Sequence, residues 1–123
     1  MPYLSFIKSP EGIRPPQALM DAMDKFVAES LKNGSVIQTG GLGPSSQGFR
    51  VRAAKGKLTV TDGPFTEAKE VLGGYAVLAA KTHDEALRNA RLFMELHTKY
   101  WPEWEGECEV REIVFLAPSE AAS

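Results

Sequence analysis

The stretch GYAVLAAKTHDEALRNARLFMELH, residues 74–97, sets a strand directly before a helix, and the distribution of apolar side chains along it decides the fold. Side chains alternate along an extended backbone, so Tyr75, Val77 and Ala79 take one side of a strand and Ala76, Leu78 and Ala80 the other. Both sides are apolar, the pattern of a strand buried on two faces. Thr82, with Glu85 three residues later, forms a capping-box pair that places a helix start at Thr82. Ala86, Ala90, Phe93 and His97 then recur at spacings of four, three and four, giving one buried helical stripe with Leu87 and Met94 alongside. The helix covers one face of the strand. The other needs a cover too, and a second copy of the chain is the simplest one.

Outward from this unit, residues 3–8 read as a first strand, and Pro10, Pro15 and Pro16 separate it from a helix over residues 17–32. Leu19, Met20, Met23, Phe26, Val27 and Leu31 share one face of that helix, and Asn33 with Gly34 ends it. Residues 36–39 predict a short strand running into the loop GGLGPSSQG. Phe49, Val51 and Ala53 alternate with Arg50 and Arg52, and Leu58 and Val60 alternate with Thr59 and Thr61. With Lys55, Gly56 and Lys57 between them, the two runs predict a hairpin. Trp101, Pro102 and Trp104 interrupt the second helix, and residues 109–116 supply a last strand. The resulting order places helices on one face of a mostly antiparallel sheet, an α+β arrangement. One domain is expected over residues 1–117, with a flexible tail over residues 118–123.

Composition bounds the function classes. With 123 residues, 43% of them hydrophobic and 24% charged, the chain is an ordinary globular one. Fourteen basic against sixteen acidic residues leave no basic footprint for nucleic acid. No apolar run approaches the length of a membrane span, and the start MPYLSFIKSP lacks a secretory pattern, so a cytoplasmic location is expected. Cys108 is the single cysteine, which excludes an internal disulfide and reads as a small core residue. Two distant histidines give no metal-ligand spacing, so neither a metal nor another cofactor is expected. GPSSQ lacks the final glycine of a nucleophile elbow, and GGLGPSSQG lacks the lysine of a phosphate loop.

Between the hairpin and the doubly apolar strand stands DGPFTEAKEVLGGY, residues 62–75, crowded with charge and special backbone. Thr61-Asp62-Gly63-Pro64-Phe65, then Glu67, Lys69, Glu70 and the Gly73-Gly74-Tyr75 strand entry, resemble the signature of the YCII-related family in its DGPF-motif branch. Asp84-Glu85-Ala86 and Glu109-Val110-Arg111 match the same pattern. Where that family commonly has a short proline-containing link after the second helix, this chain has LHTKYWPEWEGECEVRE. The resemblance implies a ferredoxin-like protomer that pairs into a dimeric α+β barrel, with a small-molecule cleft near the DGPF loop. It supplies no reaction. Some relatives are encoded beside alternative sigma factors, which implies a transcription-associated protein partner for part of the family.

Candidate residues follow from chemistry and resemblance together. Asp62 either shapes a rigid turn with Gly63 and Pro64 or also meets a ligand as proton acceptor. Phe65 anchors the loop or stacks on a substrate. Glu67, Lys69 and Glu70 form either a solvated charge run or, beside the close-approach glycines Gly73 and Gly74, an electrostatic contact through Lys69. Tyr75 would line or close the pocket. His97 reads as a hydrogen-bonded core residue or as a proton-transfer group, and Tyr100, Trp101 and Trp104 as an interface or cavity plug. The expected function is a homodimeric small-molecule-binding protein with acid–base chemistry, or else a non-catalytic ligand-sensing or regulatory module.

Overall fold

The computed structural model describes residues 2–65 and 70–115. In chain order the elements are β1 (Pro2–Ser9), α1 (Gln17–Asn33), β2 (Val36–Gly41), a 3-10 turn at Ser45–Gln47, β3 (Phe49–Ala54), β4 (Lys57–Asp62), β5 (Val71–Ala79), α2 (His83–Tyr100) and β6 (Glu107–Glu112). Pro16 opens α1, its carbonyl accepting from the amides of Leu19 and Met20. Gly34 closes the helix in the left-handed conformation that residues with a Cβ avoid (φ 83°). At the start of α2 the Thr82 hydroxyl accepts from the Glu85 amide, and the Glu85 carboxylate reaches back to the Lys81 amide. The capping pair read from the sequence is present, its return bond shifted by one residue.

Four strands form one sheet in the order β2-β5-β1-β6, every neighbour antiparallel. β5 lies between β1 and β2, and β1 between β5 and β6, so two split βαβ units interleave with α1 and α2 on one side. This is the ferredoxin-like plan of an α+β protein. The register fixes which residues share a side. Tyr3, Ser5 and Ile7 pair with Leu78, Ala76 and Gly74, and the core residues Tyr3, Val36, Leu78, Ala80 and Ala86 show that this side faces the helices. Leu4, Phe6 and Lys8, paired with Val77, Tyr75 and Leu72, take the opposite side, which neither helix reaches. There Lys8 Nζ bridges Glu109 at 2.9 Å and Glu107 at 3.2 Å.

β3 and β4 form a separate two-stranded sheet with a Lys55–Gly56 turn, both residues at positive φ as a two-residue hairpin turn requires. Cross-strand pairing puts Phe49, Val51, Ala53, Leu58 and Val60 on one face, and every residue of both strands is exposed, Leu58 to 74%. The hairpin is an arm with an apolar face that the described residues leave bare. Strand limits differ from expectation most at β5 and β6. β5 starts at Val71, because a bulge at Gly73 lets Leu72 and Val71 continue the pairing with β1. β6 ends at Glu112, where β1 runs out of partners beyond the last bond, Ile113 amide to Pro2 carbonyl. Leu87, expected beside the buried stripe of α2, is exposed. Among the described residues no helix is long and apolar enough to cross a membrane.

Candidate functional site

The core residues gather at one end of the space between sheet and helices. At the other end the sheet presents Ser5, Thr39, Gly41, Gly74 and Ala76, residues too small to fill the gap beneath the helices. The space that remains is a cavity of about 790 Å³. α1 contributes Leu19, Met23, Phe26 and Val27 to its walls, and α2 contributes Asn89, Ala90, Phe93 and His97. Ligand pockets of small-molecule proteins have this size and this mostly apolar lining with a few polar groups. Among the described lining residues the titratable side chains on the helix-facing side are Glu11, Asp24 and His97, and none is lysine or arginine; the Tyr75 ring lies on the opposite sheet side, over Gly40.

His97 stands at the carboxyl end of α2, and only 6% of it is exposed. Its Nδ1 lies 3.2 Å from the Phe93 carbonyl, an acceptor only, so Nδ1 carries the proton and donates. The neutral ring then leaves Nε2 as an acceptor. Burial lowers the His97 pKa below its usual value, the Phe93 carbonyl opposing that shift in part. Phe93 meets the imidazole edge-on with ring centres 5.1 Å apart, and Trp104 lies against it at 4.6 Å. Trp101 stacks beyond Trp104 at 6.1 Å. Gly106 makes this possible: a Cβ there would overlap the Trp104 indole. On the sheet, the Cys108 thiol lies 3.2 Å from Ser5 Oγ, and burial pushes its pKa up, away from nucleophilic thiolate character.

At the opposite end the walls are loops. The Glu11 carboxylate accepts from both the amide and the hydroxyl of Ser45, which ties the β1–α1 loop to the 3-10 turn and lowers the carboxyl pKa. Gly63 donates its amide to the Gly48 carbonyl at 2.9 Å, and its missing side chain leaves room for the Ser45 carbonyl. The Gly63–Pro64 peptide is cis. Arg50 sits 3.8 Å above the Phe65 ring.

Of the residues singled out from sequence, Gly73, Gly74, His97, Trp101 and Trp104 come together around the cavity, whereas Tyr75 borders it only through its backbone and turns its ring to the opposite sheet side, over Gly40. Asp62, Gly63, Pro64, Phe65 and Glu70 lie outside its lining, and Asp62 is exposed at the end of β4. The Asp62 carboxylate makes no hydrogen bond or ion pair among the described residues. Glu67 and Lys69 lie outside the described residues. Ser5, Thr39, Asn89, Glu11 and Gly106 were not foreseen. The one available signal was the repeated placing of small residues on the helix-facing side, which becomes visible only with the register.

Comparison with known proteins agrees with this architecture. The family model of the YCII-related domain matches residues 1–93. An uncharacterised protein of Rhizobium meliloti (strain 1021) is 31% identical over 104 residues, covering 85% of this chain and 77% of that protein. With strand order, helix placement and these matches in accord, the chain belongs to the YCII-related family.

Proposed function

We propose that this protein binds a small molecule in the cavity between sheet and helices, and that it works as a homodimeric α+β barrel of the DGPF-motif branch. The observation that carries the first part is the cavity itself: about 790 Å³, walled by apolar side chains, with His97 as a buried lining group able to exchange a proton, its pKa lowered by burial. Acid–base chemistry on the bound molecule fits that group. Asp62, which lies outside the cavity lining, and Lys69 are secondary candidates for a contact at the DGPF loop. Ala76→Leu provides the test, since it adds volume from the cavity floor beside the core. Protein purified without stripping should release a small molecule on denaturation in native mass spectrometry, and the Ala76→Leu protein should release far less while remaining folded. Equal recovery from both would move the binding site elsewhere.

A partly covered apolar sheet side and a bare apolar hairpin face support the homodimer. The sheet side opposite the helices carries Leu4, Phe6, Leu72, Tyr75 and Val77, and the hairpin carries Phe49, Val51, Leu58 and Val60. Monomeric proteins rarely leave such contiguous patches wet. A second copy supplies a matching surface for each by symmetry. The regulatory reading, in which a transcription-associated protein takes the hairpin, draws on the same exposed face. Sedimentation velocity separates them: a stable monomer at micromolar concentration would remove the barrel and favour the regulatory partner.

A further inference from the structure

We infer that the cavity takes a neutral, flat ring compound bearing an O–H or N–H group, which donates to His97 Nε2 while its ring lies against Trp104. This rests on the cavity being the binding site and names the chemistry of what enters it. His97 spends Nδ1 on the Phe93 carbonyl. Nε2 has no hydrogen-bond partner among the described residues, yet no buried side-chain nitrogen or oxygen among them is left without one. Nε2 therefore keeps accessible surface although 94% of the residue is covered, and the imidazole borders the cavity. An accessible acceptor at the end of an apolar chamber calls for a donor on the ligand. The walls beside it call for a ring: Phe93, Trp101 and Trp104 present aromatic surface around the imidazole, and Phe26 continues it with its ring centre 5.9 Å from that of Phe93.

Charge decides against the other ligand classes. The described lining holds no lysine or arginine, so a carboxylate or phosphate entering here would be stripped of water without a counter-ion. Glu11 commits both of its oxygens to Ser45 at the loop end, and Asp24 is exposed. A cation would thus find its counter-charges at the solvent side of the chamber and none beside His97.

Three probes of one shape test this: 2-naphthol, naphthalene and 2-naphthoate, titrated near neutral pH by calorimetry, with tryptophan fluorescence reporting occupancy beside Trp101 and Trp104. Naphthol should bind roughly five- to tenfold more tightly than naphthalene, the scale of one neutral hydrogen bond, and more tightly than naphthoate. In His97→Phe, which keeps an aromatic ring and deletes the acceptor, naphthol and naphthalene should bind alike. Naphthalene equal to naphthol in the unmodified protein, or naphthoate the tightest of the three, would overturn the inference while leaving the cavity as the binding site. A naphthol preference that survives in His97→Phe would overturn His97 as the anchor. Binding by none of the three would overturn both this inference and the cavity reading. The comparison within the unmodified protein needs no variant to fold.

Discussion

Gly63 occupies a place where the neighbouring backbone leaves no room for a Cβ, because the Ser45 carbonyl already fills it. Neither partner is the tip of a flexible side chain, so an added methyl must displace one of two loops. Gly63→Ala is expected to cost on the order of 2–4 kcal/mol in urea unfolding, whereas Gly43→Ala, with open space around it, should stay within about 0.5 kcal/mol. Equal stability of the two variants would mean that the loops yield freely. His97 makes a second prediction at this scale. Its ordinary pKa is 6.5, and burial lowers it in the folded chain. Between the two values the unfolded chain binds more protons, so stability falls as pH drops through about 6.5 and the fall ends only below the folded value. His97→Phe should flatten that part of the curve. Glu11 and Glu109 have lowered pKa values, so their loss of stabilisation comes at more acid pH, as each is protonated. The helical spacing placed His97 on the buried stripe of α2; the role of Gly106 was not legible, because what it does depends on where Trp104 folds back.

Helices were easier to read than strand ends. Thr82 and Glu85 announced α2 by themselves, since the bonds that cap a helix are made between near neighbours. Thr82→Ala is accordingly expected to cost about 1 kcal/mol, measured by chemical denaturation, with the fold unchanged. A cost near zero would mean that the Glu85–Lys81 bond suffices. The limits of β5 and β6 depend instead on which residue of β1 lies opposite, and the bulges at Gly73 and Ile37 offset the pairing by one residue each. Local sequence carries no record of that partner. The cavity escaped for the same reason: Ser5, Thr39 and Ala76 are far apart in the chain, and only their register shows that three small residues stand together. The hairpin was legible as a hairpin, but its separation from the main sheet was not.

For the whole molecule, the open sheet side and the arm each predict what assembly should do. Val77 lies at the centre of the open side, between Leu4 and Gln38 in the pairing. Under the homodimer proposal, Val77→Asp would bury an unpaired charge there, and the dimer Kd should rise at least roughly a hundredfold in sedimentation velocity. Arg88→Asp, on an exposed part of α2, changes charge without touching that side and should leave association intact. An unchanged dimer with Asp at 77 would assign the interface to another surface. The doubly apolar strand at residues 75–80 was enough to demand a cover from sequence alone, because alternation on both faces is a local property. The bare hairpin face was hidden, since alternation in the hairpin predicts one buried face and leaves open what buries it.

An arm that is wet in the isolated chain also puts a clock on folding. Under the homodimer proposal, Phe49, Val51, Leu58 and Val60, exposed in the single chain, would stay in water until a second molecule arrives. The last step of folding would then be a collision, and its rate would scale with the number of chains present. Refolding followed by hairpin-specific probes should show a slow phase that quickens with protein concentration, after a tryptophan phase that does not.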